Sequence, residues 1–395
     1  MIHIGKNTFF GLLILIAFAV VGCKQDATTP QEEEGYIRGK VITTELLKEL
    51  DLTQITNYAG DSVKAEYMRY PVSCYRLVYT SVYEGEPINT TALVVIPNCD
   101  TIERRLCVYM HGTNLPIDVT SATQKMPSNY FRTKQAGGEV GVCAIPLASS
   151  GFTVVMPDYI GYGNTSNKEH PFVYYPELHY ANIDGLRALT RMLELTGKQL
   201  VWLGGYSQGG GAALSLHYYI QTLYADEYEV VSSSCLSGPY NYVGQIEGVL
   251  RENIAVPSAL ISWSAYVLNR FDVHRNPDQI YQFTVTDQLS AITNFNGGIW
   301  DIFRPYFVQG VLNGEDTTWI AASKRNSFHE GWKPTGKVYL HHGTKDNVVP
   351  YFNTIDAKRG LSNEGADVTV FTYEGREHFN VTIPYINNTL EMWDK

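Results

Sequence analysis

A strand-like run that enters a glycine-rich turn and then a helix-like run lies near the middle of this chain. It reads Val201-Trp202-Leu203-Gly204-Gly205-Tyr206-Ser207-Gln208-Gly209, followed by Gly210-Gly211-Ala212-Ala213-Leu214. The G-x-S-x-G pattern fits a turn so tight that its glycines cannot carry a Cβ beside a serine in a strained conformation. We expect Ser207 to project above a sheet at a helix N-terminus, whose positive end favours developing negative charge. Glycine-rich turns also contain serine by chance, so catalysis requires partners elsewhere.

Two candidate partners follow Ser207 along the chain. A serine hydroxyl is a weak nucleophile near neutral pH and needs a base and an orienting acid. Asp346 lies in the loop after one strand-like run, and His378 lies in the loop after the next. Because Ser, Asp and His occur in this order, each after a strand, we interpret Ser207 as nucleophile, Asp346 as acid and His378 as base.

Acyl transfer also requires N–H donors for the oxyanion. The backbone amide of Gln208, directly after the nucleophile, is the first candidate. Thr113 is the second, because Gly112 lets its amide turn inward at the end of a strand-like run. His-Gly-Thr recurs at 342–344, but that copy leads into the candidate acid. We interpret His111 as structural, holding the loop through its ring nitrogens.

The turn Pro157-Asp158-Tyr159-Ile160-Gly161-Tyr162-Gly163 follows a further strand-like run. Asp158 is an alternative acid, but it precedes the nucleophile, against the expected order. We therefore expect this turn to line the substrate pocket, where Tyr159 joins Tyr206, His111 and Gly112.

Strand and helix signals divide the rest of the chain. Strand-like runs at 73–83 and 88–96, separated by a Glu-Gly-Glu-Pro turn, predict an antiparallel hairpin. A helix-like stretch over 45–50 precedes them, and another over 384–393 ends the chain. Alternation of strands with helices predicts an α/β fold with a mostly parallel, eight-stranded sheet, whose other six strands are 106–110, 152–156, 200–203, 228–232, 337–340 and 368–373. Residues 239–333 interrupt this alternation after the sixth strand, and divide the core into 41–238 and 334–395.

The first 22 residues are predicted to be a lipoprotein signal peptide. Lys6 gives a positive start, 9–21 is an apolar run too short to span a membrane comfortably, and Val20-Val21-Gly22-Cys23 resembles a lipobox. We expect Cys23 to become the lipidated N-terminus and 23–40 a flexible tether. Plain secretion and an uncleaved anchor are the alternatives. All three place the protein outside the cytoplasm, and the lipidated form is expected on the periplasmic or surface side of the cell envelope.

Charge and cysteine content exclude several classes of function. Lys and Arg number 30 against 40 Asp and Glu, and no basic run occurs, so the chain lacks the footprint of a nucleic-acid binder. The net charge of −10 also disfavours strongly anionic substrates. The five cysteines after Cys23 either remain free, buried thiols or form up to two disulfides. No CxxC pair or HExxH motif supports a metal site.

These motifs together resemble the α/β-hydrolase superfamily, and within it the bacterial secretory lipase-like serine esterases, over about residues 70–395. The resemblance implies helices on both faces of the sheet and a helical cap formed by 239–333. It also implies a triad of Ser207, Asp346 and His378, with Gln208 and Thr113 as oxyanion donors. The expected substrate is a small-molecule or glycan-linked carboxylic ester, hydrolysed without a metal or organic cofactor.

Several alternatives stay open at this point. The same triad serves serine peptidases of this superfamily, although their N-terminal propeller has no room here, and a non-catalytic binding lipoprotein is a further alternative. Lipase and carbohydrate esterase are not separated. The tryptophans of the insertion, Trp263, Trp300 and Trp319, either offer apolar surface to an acyl or aryl group or fill the core of the cap.

Overall fold

The computed structural model describes residues 35–116, 125–132, 138–252 and 256–394. The predicted signal peptide, Cys23 and most of the predicted tether lie outside the described residues.

Nine strands of the described chain form one sheet. They are β1 (Val41–Leu50), β2 (Val72–Tyr83), β3 (Glu86–Pro97), β4 (Arg105–Met110), β5 (Phe152–Pro157), β6 (Gln199–Tyr206), β7 (Tyr228–Leu236), β8 (Lys337–Gly343) and β9 (Val368–Tyr373). Their spatial order is β1-β2-β3-β5-β4-β6-β7-β8-β9. The first three pairs are antiparallel and the other five are parallel. The sheet is therefore mostly parallel, as predicted.

The α-helices connect and cover these strands. They are α1 (Leu52–Ala59), α2 (Ile145–Ser149), α3 (Tyr175–Met192), α4 (Gln208–Leu223), α5 (Tyr242–Glu252), α6 (Ser258–Leu268), α7 (Gln288–Thr293), α8 (Pro305–Leu312), α9 (Thr317–Arg325), α10 (Phe352–Asn363) and α11 (Thr382–Trp393). Within the described ranges, none of the helices is long and apolar enough to cross a bilayer.

The predicted hairpin joins β2 to β3. Glu84 and Gly85 form a two-residue connection with φ of 52° and 82°. Positive φ at both central positions is the geometry of a type I′ turn, whose twist matches that of the flanking strands. The antiparallel start of the sheet is confirmed.

The helix predicted over 45–50 is wrong, because these residues belong to β1. Glu45 pairs with Arg76 and Leu50 with Val72 on β2. A helix of six residues is marginal on its own, whereas the free edge of β2 offers a row of backbone donors and acceptors. This strand raises the predicted count of eight strands to nine.

Alternate residues of β4 show how the sheet divides the core. Leu106, Val108 and Met110 pack into one buried apolar cluster with α3 and α4. Cys107 and Tyr109 pack into a second cluster with α1, α2 and α11. Side chains alternate across a strand, so helices cover both faces of the sheet, as expected.

The chain between β7 and β8 carries α5 to α9, where the sequence predicts an insertion. Its apolar residues join the cluster that contains α3 and α4. Trp263 and Trp319 are fully buried, whereas Trp300 is 51% exposed. Two of the three tryptophans therefore fill the core, and the packing continues from the insertion into the main body.

All five cysteines in the described part of the chain are unpaired. Cys74, Cys107, Cys143 and Cys235 are buried, and Cys99 is partly exposed. Of the two alternatives left by the sequence, the structure has the free thiols.

Candidate active site

Ser207 occupies the sharp turn between β6 and α4, with φ of 57° and ψ of −123°. Its backbone N–H donates to Leu236 O at 2.8 Å, which anchors the strained residue to the next strand. A Cβ on Gly205 would lie 2.1 Å from Gly209 O, and one on Gly209 would lie 1.9 Å from Met110 O. No side chain fits at such distances, so both glycines of the motif are required by close backbone approach.

The three predicted catalytic side chains lie in one row of hydrogen bonds. His378 Nε2 lies 2.9 Å from Ser207 Oγ, and His378 Nδ1 lies 2.7 Å from Asp346 Oδ2. Asp346 comes from the loop after β8 and His378 from the loop after β9. Parallel strands bring their carboxyl ends to the same edge of the sheet, which explains why residues so distant in sequence meet here.

Asp346 has a fully buried side chain that receives several hydrogen bonds. Its Oδ1 accepts the backbone N–H groups of Val348 and Val349 at 2.9 and 2.8 Å. Its Oδ2 faces His378 Nδ1 and also lies 3.2 Å from His342 Nε2. Burial raises the pKa of Asp346, but hydrogen bonds from His342 and His378 outweigh this effect and bring the pKa below its ordinary value. Asp346 is therefore a stable anion beside the ring of His378.

Gln208 and Thr113, the predicted oxyanion donors, line the same cavity as Ser207. Among the described residues, the backbone N–H of neither has an acceptor. The N–H of Gly112 is engaged differently, because it donates to Glu139 Oε2 at 2.7 Å. The structure therefore places Gln208 and Thr113 together on the wall of the cavity that contains Ser207.

Glu139 is the residue near the site that the sequence analysis missed. Its Oε1 accepts the hydroxyl of Tyr109 at 3.1 Å, while Oε2 holds the loop at Gly112. Burial raises the pKa of Glu139 to about 7, with the hydrogen bonds from Gly112 and Tyr109 acting in the opposite direction. It belongs to no motif, and no signal short of the fold could have placed it beside the Gly112 loop.

None of the four residues predicted to line the pocket belongs to the wall of the cavity beside Ser207; they support the loops around it instead. His111 stacks on Tyr159 at 4.2 Å between ring centroids, and its Nδ1 lies 2.7 Å from Gly112 O. Burial lowers the pKa of His111 to about 4, so its ring is neutral at pH 7. The Tyr159 hydroxyl donates to His111 O at 2.8 Å, and the Tyr206 hydroxyl donates to His378 O at 2.9 Å. These contacts fit the structural role predicted for His111, and Tyr206 braces the candidate base.

Asp158, the alternative acid, bonds to different partners. Its carboxylate accepts the backbone N–H of Ser128 at 3.0 Å and the hydroxyls of Ser128 and Thr91. Burial raises its pKa to about 6, against the effect of these bonds. Asp158 thus ties its turn to β3 and to the segment that carries Ser128, while Asp346 contacts His378.

A mostly apolar cavity opens beside Ser207. Residues from α5, α6 and the segment between them contribute much of its wall, so the insertion lies over Ser207. The lining residues besides Ser207 and Gln208 are Thr113, Phe172, Val173, Pro239, Tyr242, Gln245, Val256, Pro257, Leu260, Ile261, Ser264, Val348 and Val349. Such a wall accommodates an apolar group next to the reacting atom. No cluster of three or more potential metal ligands occurs in the described ranges.

A family model of the alpha/beta hydrolase fold matches residues 137–381. The chain belongs to the α/β-hydrolase family. The resemblance inferred from the motifs is confirmed, and the match spans the strands that carry Ser207 and Asp346 as well as His378.

Among curated proteins, this α/β-hydrolase is similar to the secreted triacylglycerol lipase LIP7 of Malassezia globosa. The two are 21% identical over 330 residues, which is 80% of this chain and 69% of the relative.

Solved structures share its fold. A variant of the rice cell wall degrading esterase LipA of Xanthomonas oryzae superposes with a TM-score of 0.72 at 20% identity, covering 90% of this chain and 98% of the other. Candida antarctica lipase A in its closed state gives 0.60 at 16% identity, covering 88% and 79%.

Proposed function

We propose that this α/β-hydrolase is a serine carboxylic ester hydrolase of the lipase and esterase type. The row of hydrogen bonds from Ser207 through His378 to Asp346 is the observation that carries the proposal. Neighbours that include a secreted lipase and a cell wall degrading esterase support the same class of reaction.

The reaction follows from the roles of these groups. His378 Nε2 takes the proton of Ser207 as Oγ bonds to the ester carbonyl carbon, and the carbonyl oxygen becomes an oxyanion. The amides of Gln208 and Thr113 donate to that oxyanion. His378 then protonates the leaving alcohol as the C–O bond breaks, which leaves an acyl group on Ser207. Water repeats the cycle, releasing the acid and free serine. Asp346 keeps the proton of the His378 ring on Nδ1.

The substrate class follows from the wall beside Ser207. Apolar side chains such as Leu260 and Ile261 would hold the acyl group of a small-molecule or glycan-linked ester. Residues 239–333 would then be a cap over the main body. The secreted relative supports a place outside the cytoplasm, and the lipobox-like sequence before Cys23 supports a lipid anchor at the cell envelope.

Hydrolysis of p-nitrophenyl acetate, butyrate, octanoate and palmitate by the full chain in mild detergent tests the proposal. Ser207→Ala should abolish turnover. Ser215→Ala is the matched control, because Ser215 is a buried serine on α4 whose hydroxyl donates to Ala212 O at 3.0 Å. Esterase activity that survives Ser207→Ala, or a wild-type chain inert on every ester, would overturn the proposal. If the wild-type chain is inert on every ester, peptide hydrolysis and then ligand binding are the activities to measure next.

A further inference from the structure

Asp346 faces two imidazole rings, and the proposed mechanism uses one of them. His378 Nδ1 lies 2.7 Å from Oδ2, and His342 Nε2 lies 3.2 Å from the same oxygen. His342 is the penultimate residue of β8, four positions before Asp346. Its side chain is fully buried.

The neighbours of His342 define its tautomer. Nε2 lies between Asp346 Oδ2 and Val349 O, the latter at 2.8 Å. Both oxygens are acceptors, so Nε2 carries a hydrogen. Val349 O is the hydrogen-bond acceptor of this N–H, and Asp346 Oδ2 is a second, more distant acceptor beside it. Nδ1 lies 2.7 Å from Thr354 Oγ1, and the threonine hydroxyl can donate to it. A hydrogen on Nε2 and a lone pair on Nδ1 fit these contacts.

The contacts of His342 hold its ring in a fixed position beside the carboxylate of Asp346. A buried polar ring costs stability unless its nitrogens are bonded, and both nitrogens of His342 are. Tyr351 packs edge-on against the ring at 5.5 Å, and Thr354 on α10 holds the other side. The ring is thereby fixed in the orientation that places Nε2 between Val349 O and Asp346 Oδ2.

We propose that His342 is a positioning residue that holds Asp346 Oδ2 in line with His378 and shares its negative charge, which sets the basicity of His378. The inference rests on the proposed function. The N–H of His342 stabilises negative charge on Asp346 Oδ2, and this weakens the electrostatic effect of Asp346 on the His378 ring.

The titratable groups around this carboxylate come from several elements. From the described residues, Asp346 is faced by His342 of β8 and by His378 of the loop after β9. Tyr206 of β6 lies with its ring 5.0 Å from His378, and Tyr351 packs on His342. Burial raises the pKa of the Tyr206 phenol, so this group is uncharged near pH 7, and the contact that Asp346 loses directly on removal of His342 is the one with Nε2.

Replacement of His342 by leucine should therefore make His378 more basic and less well placed. The acid limb of the pH profile should move upward by about half a pH unit. The maximal rate should fall on the order of ten-fold, since small misplacements of catalytic groups are costly. His342→Gln keeps an N–H near the position of Nε2, and it should restore most of both quantities.

The readout is the second-order rate at which a fluorophosphonate phosphonylates Ser207 in the full chain, measured from pH 5 to 9. This reaction forms the Oγ–P bond, expels fluoride and passes the serine proton to His378, so it reports the same base without knowledge of the natural ester. His341→Leu is the matched control. His341 is the neighbouring buried histidine on β8, with Tyr373 at 2.8 Å and Ser234 at 3.1 Å from its nitrogens.

The inference is supported if the acid limb of the pH profile shifts upward in His342→Leu, returns close to its wild-type position in His342→Gln and is unchanged in His341→Leu. An unmoved limb, or an equal shift in both leucine variants, overturns it. If His342→Leu does not fold, Thr354→Val is the deciding variant, because it removes the partner of His342 Nδ1 with little change of shape. A smaller upward shift of the acid limb in this variant supports the inference, and an unmoved acid limb overturns it. A wild-type chain that is not labelled overturns the proposed function instead.

Discussion

At the scale of single residues, the loop that carries Thr113 depends on a carboxylate from elsewhere in the chain. Glu139 accepts the N–H of Gly112 and the hydroxyl of Tyr109. The hydroxyls of Tyr159 and Tyr162 donate to carbonyls of the same loop, and Glu139 is the acceptor of its Gly112 N–H. Its exact placement matters because oxyanion donors act only at hydrogen-bond distance from the developing charge.

We predict that Glu139→Ala lowers kcat on the order of ten-fold with KM little changed. The buried N–H of Gly112 loses its acceptor and the loop relaxes, but the oxyanion donors themselves remain, so the loss stays below the roughly hundred-fold or greater cost of deleting a donor. Steady-state kinetics on a p-nitrophenyl ester measure the change in kcat and in KM. Glu139→Gln, which keeps one acceptor for Gly112, is the control and should retain most of the rate. An alanine variant with wild-type kcat would contradict the role of Glu139.

At the scale of structural elements, the turn of the β2–β3 hairpin depends at Gly85 on backbone conformation and not on contacts of a side chain. Gly85 has φ of 82°, and a Cβ added to it would meet no atom within 4 Å. We predict that Gly85→Ala lowers the free energy of unfolding by about 1 kcal/mol, which is the cost of a left-handed conformation for a residue with a Cβ. Urea denaturation measures it. Gly298→Ala is the control, since Gly298 is equally open and lacks a positive φ; an equal loss in both would contradict the explanation.

A separate prediction concerns α6, which belongs to the insertion. Leu260 lines the cavity beside Ser207, so Leu260→Trp should narrow it. We expect the ratio of octanoate to acetate hydrolysis to fall about ten-fold or more, because a longer acyl chain loses its space while an acetyl group still fits. The ester series described above measures this ratio. Leu289→Trp, on the exposed side of α7, should leave the ratio unchanged, and a ratio unaffected by Leu260→Trp would place the acyl group elsewhere.

At the scale of the whole molecule, buried titratable groups link stability to pH. Burial lowers the pKa of five histidines to about 4 or 3: His111, His170, His179, His217 and His341. These histidines are neutral in the folded state and take up protons on unfolding below their ordinary pKa near 6.5. Burial acts oppositely on three carboxyls, Glu139, Asp158 and Glu177, whose pKa it raises to about 7, 6 and 7. They hold protons in the folded state and release them on unfolding.

The histidines outnumber these carboxyls, so unfolding should take up protons near pH 5.5. Stability rises with pH wherever the unfolded state binds more protons, and we therefore expect the melting temperature to fall as the pH is lowered from 6 to 5. Thermal unfolding at several pH values measures this. His217→Gln should flatten the dependence, because the ring of His217 is fully buried with a pKa lowered to about 3. A melting temperature that rises on acidification would contradict the assignment.

Local sequence determined the parts of this molecule that depend on near neighbours. The strand-turn-helix around Ser207 follows from glycines at 205 and 209, and the hairpin follows from the Glu84-Gly85 pair. Strands buried on both faces are marked by apolar runs, and all eight predicted strands correspond to strands of the sheet, β2 to β9. The chain order of Ser207, Asp346 and His378 was visible because each follows a strand, and parallel strands end at one edge of a sheet.

Tertiary structure alone decided what depends on partners distant in sequence. Residues 45–50 became a strand because β2 offered a free edge, and no local pattern reports such an edge. Glu139 contacts Gly112, and His342 contacts Asp346, only in the packed structure. The role of a buried polar group depends on the donor or acceptor that faces it, and tertiary packing sets that partner. The sequence thus determined which residues could do chemistry, and packing decided which other residues hold them in place.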